Sequence, residues 1–507
     1  MFYFIPSWYN SNRKWYDNEG EWHRVSRKSS FDDTVSQIKM FSKSDEDVSL
    51  IVLNYRPSLR NFLHDQGVQN VNVWSLFDDI QNIKCNNFRA FDYKSLLWPS
   101  DVEYIFSPFV IIVKRKGELY AVIQFNTQGS VKSIELKENN QTIKEYVVDD
   151  RGFLSSIIYY NEGIQSYQQY LNIYGIVQFT EYLLDGHVEI STQAQDNFDK
   201  TIYDNMDELI EERLRYYIEN NLKENDVVVV AADKIHNNLV GKVKGQARYV
   251  MSFFGNRYEL LEEQLLADVK NADLLVTDTE YVKNNIENIL GEEYKKPTIH
   301  ISPYDTRLAL GISQRYKELE IYVSADNTDV ETLVAAFHFI LEKMLNNDNI
   351  RLVVGSYNKN WLNFCEKLID ELIDEHYEVE DFVIIDENNL TVIEKIKYMH
   401  VTSDNDVIAK FMSTRLIIDL SSTPDIFTQI AGISSGIPQI NIVESMYVYN
   451  NKNGKIVTSG AELDDTIDYY FESLRNWNEA LVHSVRQIEH YTSGKLVAEW
   501  KKNIYGE

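Results

Sequence analysis

Three successive hydroxyl side chains, Ser421-Ser422-Thr423, followed by Pro424, have the composition of a helix start that can hold an anion. Leu416-Ile417-Ile418 before them is short, apolar and β-branched, which predicts a buried strand. A hydroxyl is expected to serve as the helix cap and Pro424 to take the first helical position. Phe427, Ile430, Ala431 and Ile433 continue at helical spacing, Gly436-Ile437-Pro438 ends the helix, and Gln439–Ile442 opens the next strand. In open α/β sheets the loop between a strand and a helix N-terminus holds phosphate-bearing ligands, because free N–H groups and the helix dipole both favour negative charge there. Ser421 and Ser422 are the candidate binding residues of this segment.

Other candidates stand more alone. His236 follows the strand-like run Val227–Ala231 at a C-terminal sheet edge and is a candidate cleft residue; an ordinary loop histidine is the plainer reading. In Asp305-Thr306-Arg307, Arg307 either faces a cleft and holds an anion or pins a hinge by a salt bridge, and the hinge is the simpler reading. Asp149-Asp150 next to Arg151-Gly152 falls on a regular beat of turn residues, so a hairpin turn with a local ion pair is expected. Gly-rich phosphate loops are absent, and the one G-x-S-x-G run, Gly432–Gly436, ends an expected helix instead of following a strand and opening a helix, so it makes no nucleophile elbow. The ten histidines are scattered, and neither Cys85 nor Cys365 has a His or Cys three or four residues away, so neither a metal nor a cofactor is expected.

The Arg415–Ile442 segment resembles retaining glycosyltransferases of the two-Rossmann (GT-B) type. In that family two glutamates eight positions apart precede a Gly-Val-Pro turn and contact the sugar and ribose of a nucleotide-sugar donor. Counted back from Gly436-Ile437-Pro438, the matching positions are Thr423 and Ala431, and neither is a carboxylate. The family's Arg and Lys, which neutralise the donor diphosphate, follow the first strand of the same domain. Here that strand is Leu319–Val323, and the loop after it has no cation and two carboxylates, Asp326 and Asp329. A diphosphate beside them is repelled. The resemblance therefore implies a retained scaffold with a degenerate donor site at Thr423, Ala431, Asp326 and Asp329.

The whole chain has 507 residues, 44% of them hydrophobic, enough for two or three packed domains. Its formal charge of −28 argues against binding nucleic acid or an anionic membrane through a general basic field. Two distant cysteines make no disulfide framework, which points to a reducing cytoplasm. Met1–Pro6 lacks a basic n-region and breaks at Pro6, so it is expected to be a core strand and not a signal peptide. The β-branched run Val227–Val230, unexceeded in the chain, is far below the ~20 apolar residues that span a bilayer, so no direct membrane insertion is expected, only attachment through partners.

These side chains need elements to hold them. Strand and helix patterns alternate from Phe2 to Trp74, the signature of βαβ units and a parallel sheet. From Trp98 turn residues recur at Gly117, Gly129, Asn140, Gly152, Gly163, Gly175 and Gly186, at intervals of 12 or 11. Strands joined by short turns give that spacing, which predicts an antiparallel meander of roughly eight strands. Alternation returns after ~200 and continues through a third block in which a short helix is expected at Val392–Tyr398. The fold class is thus α/β, with two Rossmann-like domains in a GT-B-like arrangement and an added antiparallel β-meander domain. The expected organisation is 1–95 and 200–308 for the first Rossmann-like domain, 96–199 for the β-sheet domain, 309–480 for the second Rossmann-like domain, and 481–507 for a C-terminal helix crossing back to the first.

Phe2–Tyr9, Phe31–Thr34, Ser107-Pro108-Phe109, Asp150–Ser155 and Ser302–Leu308 together resemble one family along the whole chain: the first of three accessory secretion proteins of the accessory Sec system of Gram-positive bacteria. The resemblance implies a catalytically silent, cytoplasmic protein. Its implied partners are two other accessory secretion proteins, an accessory SecA-type motor ATPase and a serine-rich repeat glycoprotein adhesin. The second reading is a divergent glycosyltransferase acting on the same glycoprotein. A live enzyme needs a cation or metal to neutralise a diphosphate, and the loop after Leu319–Val323 offers none.

Overall fold

The computed structural model describes residues 1–9, 13–17, 32–85, 87–108, 110–126, 128–255, 257–291, 294–306, 310–386, 391–402 and 404–506. The chain folds as two compact units. The first holds most of the chain up to Ile301 together with Trp500 onward, and the second holds Ser302–Glu499.

The first unit is built on a seven-stranded parallel sheet in the order Thr298–His300, Leu274–Thr277, Arg248–Phe253, Val227–Ala231, Phe2–Ile5, Val48–Val52, Asn72–Ser75. Phe2–Ile5 and Val227–Ala231 are apolar throughout and buried throughout, as parallel strands covered on both faces must be. A ten-stranded antiparallel sheet runs from Val102–Phe106 to Ile202–Tyr203 with every strand beside its sequence neighbour. The seven turn residues of the sequence beat all adopt positive φ, which is the conformation a tight hairpin demands. They separate eight strands. The two outermost strands escape the count because their connections, Ser107–Pro108 on one side and 191–201 on the other, contain no glycine.

Arg151 locks this sheet to the parallel one. Its guanidinium is 1% exposed and bridges Asp149, at 2.7 Å, to Asp78 on the helix Leu76–Ile80, at 2.8 Å. The expected local ion pair at the hairpin is therefore one half of a longer connection. Around it one core joins both sheets through Tyr55, Phe77, Tyr170 and Phe179. Trp500 packs its ring edge-on to Phe41, 5.8 Å between centroids.

The second unit carries a six-stranded parallel sheet in the order Ile396–His400, Ile350–Ser356, Leu319–Ser324, Thr414–Asp419, Gln439–Asn441, Gly454–Ile456. Helices Val330–Asn346 and Lys359–His376 cover it with Phe337, Ile340, Cys365 and Ile369. One element departs from expectation. Val392–Tyr398 is extended, with Thr391–Glu394 pairing against Val383–Asp386 and Ile396–His400 joining the parallel sheet. The β-branched run Thr391-Val392-Ile393 favours a strand over the helical spacing read there. Among the described residues, no helix is long and apolar enough to cross a membrane.

Candidate functional site

Strands Ile350–Ser356, Leu319–Ser324 and Thr414–Asp419 are neighbours, so the loops after their C-terminal ends converge. That edge gathers Asp326, Tyr357, Asp419 and Asp425. The Ser356 hydroxyl donates to Asp326 Oδ1 at 2.8 Å, and the Tyr357 backbone N–H donates to Oδ2 at 2.8 Å. The Tyr357 hydroxyl in turn donates to Asp425 Oδ2 at 2.7 Å. Asp425 caps the helix Ile426–Ser435, accepting the Thr428 N–H at 2.8 Å. The N-terminus that could attract a ligand phosphate thus already carries a carboxylate of the chain.

Asp419 lies beneath, 1% exposed, and accepts the backbone N–H groups of Ser421 and Asp425 at 3.1 and 2.9 Å. Burial first, and then the charges of Asp425 and Asp326, push its carboxyl up to about 7.

The sequence candidates fall around this edge. Ser421 is buried and its hydroxyl accepts the Thr423 N–H at 2.9 Å, while Ser422 and Thr423 are exposed. The helix begins after Pro424 rather than at it, and Asp425 is its cap, which corrects the expectation of a hydroxyl cap. Both chemistries suit a helix start, but only the Asp425 side chain reaches the Thr428 amide. Ala431 is buried within the helix, so its position carries a methyl group among core contacts. Asp329 is exposed and caps Val330–Asn346 through Thr332. Asp305 accepts the Ser493 hydroxyl at 2.6 Å, and the neighbouring Thr306 N–H donates to the Tyr491 carbonyl at 2.8 Å. Arg307 lies outside the described residues.

His236 belongs to the first unit. Its ring is fully buried, with Nε2 2.8 Å from the Ala231 carbonyl and Nδ1 2.7 Å from the Tyr9 hydroxyl. The carbonyl can only accept, so Nε2 carries the proton and Tyr9 donates to Nδ1. Burial lowers the imidazole to about 4. Asn237 beside it donates to Asp268, which also accepts the Tyr258 hydroxyl. Sequence reasoning misses Tyr357, Asp419 and Asp425. A signal is present in Asp419-Leu420-Ser421-Ser422-Thr423-Pro424-Asp425, a run of side chains able to take backbone N–H bonds.

Two parallel sheets with an antiparallel sheet appended to the first define a glycosyltransferase-like α/β protein. The pneumococcal O-GlcNAc transferase GtfA, solved with UDP and GlcNAc, has the same fold at a TM-score of 0.73 and 12% identity, covering 100% of this chain and 98% of that one. Within that class the family is specific. Residues 1–506 match the model of the first accessory secretory protein of the accessory Sec system, and the chain belongs to that family. The corresponding accessory Sec system protein of Streptococcus gordonii is 37% identical, covering 99% of this chain and 98% of that one. A chain of the Glycosylation Associate Protein (Gap123) complex from Streptococcus agalactiae is 37% identical with a TM-score of 0.85, covering 99% and 100%. A chain from the crystal structure of accessory secretory protein 1, 2 and 3 in Streptococcus pneumoniae is 32% identical with a TM-score of 0.84, covering 100% and 99%.

Proposed function

We propose that this chain acts without catalysis, as a cytosolic subunit that assembles with two other accessory secretion proteins. In that assembly it holds a serine-rich repeat glycoprotein for a SecA-type motor before translocation. The observation that carries the non-catalytic part is the pair of carboxylates Asp326 and Asp425 at the edge where a donor diphosphate would sit. At an effective dielectric of about 20, one like-charge contact at about 4 Å costs about 4 kcal/mol, and a diphosphate would face both carboxylates. Thr423 and Ala431 offer no carboxylate to hold a ribose or sugar in compensation. Assembly is supported by the two similar chains, which were solved within the Gap123 complex and with accessory secretory proteins 1, 2 and 3.

Titration calorimetry of the full chain with UDP, UDP-glucose and UDP-GlcNAc tests the silence of the site. No binding is expected at millimolar ligand. A dissociation constant below about 100 μM, or about −5.5 kcal/mol, contradicts the proposal.

A further inference from the structure

A hollow of about 610 Å³ in the second unit is lined from the helices Gly460–Glu472 and Leu474–Ile488 and from the segment around Lys452 and Lys455. Its charge is opposite to that of the chain. Lys452, Lys455, Arg475 and Arg486 line it with His483, against a single lining carboxylate, Glu479. Arg475 holds that carboxylate at 3.1 Å. The Lys455 amine sits 3.7 Å over the Tyr469 ring, and Lys452 lies 5.2 Å over Tyr449. Aromatic faces therefore hold these two amines, and among the described residues no carboxylate pairs with Lys452, Lys455 or Arg486. Burial, and then the cations Arg486 and Lys452, hold the His483 imidazole below its usual value, so these groups share one space. In a chain with 78 acidic and 50 basic residues, cations left unneutralised are not a by-product of composition.

Among the described residues, the helix beside the hollow has an unpartnered strip. Trp477, Ala480, Ser484 and Ile488 are buried on one face, while Leu474 is 59% exposed, Val482 50% and Val485 42% on the other. At 100° per residue these three fall within about 80° of one another, on the side that carries Arg475, Asn478 and Arg486. Cations around exposed aliphatic side chains suit a partner segment bearing both carboxylates and apolar anchors.

We propose that this hollow and helix strip dock an acidic segment of a partner secretion protein. The inference rests on the assembly reading above and names the face it uses. The opposite charges favour such a partner, because a contact of this kind is steered by long-range attraction and weakens with salt.

The test measures affinity of the full chain for the two partner proteins at two salt concentrations. Lys452→Glu with Arg486→Glu is expected to weaken binding at least tenfold near 0.1 M salt, and about threefold or less near 0.5 M, where screening shortens the reach of charge. Glu479→Gln, which removes the lining carboxylate, is expected to tighten it. Both reversed side chains are exposed, and Lys452→Gln with Arg486→Gln repeats the test if the reversed chain melts early. Normal binding by the reversed chain overturns the inference and leaves the assembly reading standing. If the natural chain fails to bind at all, the assembly reading falls first and this inference with it. A self-association that the reversal abolishes, or displacement of the partners by inorganic phosphate at constant ionic strength, also overturns the inference, by naming a second copy or a small anion as the occupant.

Discussion

Asp419 is held by two backbone N–H groups, yet its burial first, and then two neighbouring carboxylates, disfavour its charge and leave a mark on stability. Its ordinary carboxyl value is 3.8, and in the folded chain it is about 7. Between those values the unfolded chain ionises this group while the folded chain keeps the proton. Stability is therefore fully present near pH 4 and is lost as pH rises through about 7, at roughly 1.4 kcal/mol per pH unit across the window. Asp419→Asn cannot ionise and is expected to flatten that slope. His236, lowered to about 4, contributes the opposite slope between about 6.5 and 4, and that slope is common to both chains. Urea unfolding of both chains at pH 5 and pH 8 checks this. The variant should gain relative to the natural chain at pH 8 by a few kcal/mol, and parallel profiles would count against the assignment. At this scale the sequence is legible for what is missing and less so for what replaces it. Thr423 and Ala431 can be counted back from a turn. That Asp425 caps and Tyr357 reaches it depends on two loops meeting at one sheet edge.

The antiparallel sheet shows the same limit among the elements. Its turns are readable because positive φ selects Gly and Asn, and strand count fails only where connections use other residues. Its surplus of aromatics has two uses. Tyr170 and Phe179 stack at 4.2 Å in the core, and on the other side Tyr159 stacks on Tyr167 at 4.4 Å and Tyr182 on His187 at 4.2 Å. Lys144, Tyr159, Tyr167 and Tyr182 are directly opposite one another on successive strands, so this row is cross-strand pairing. Gly152 is the turn with a second duty. Its φ is 84°, and a Cβ there would lie 1.8 Å from the Arg89 carbonyl oxygen. Gly152→Ala is expected to cost more than the ~1 kcal/mol of an ordinary left-handed position, because the backbone of 89 must also move. Thermal melting checks this, with Gly163→Ala as the comparison, since nothing lies within 4 Å of a Cβ at 163. Equal losses would show that the approach of Arg89 is not constraining. The segment Val392–Tyr398 reads wrongly from sequence because spacing alone does not separate helix from strand in a short apolar run, where its β-branched start decides for the strand.

On the scale of the whole molecule, the α/β class and the added sheet follow from alternation, β-branched runs and a turn beat. The family is carried by motifs spread from Phe2 to Leu308, and the match to residues 1–506 places the chain in it. What one chain's sequence hides is which surface meets another chain, since net charge says nothing about where 50 cations sit. The central claim is that this protein works by assembly. Sedimentation velocity of the chain alone, and mixed with the two partner accessory secretion proteins at micromolar concentration, tests it most directly. A faster boundary containing all three proteins is expected. Separate boundaries for the individual proteins at that concentration would contradict it and reopen the reading of a divergent glycosyltransferase.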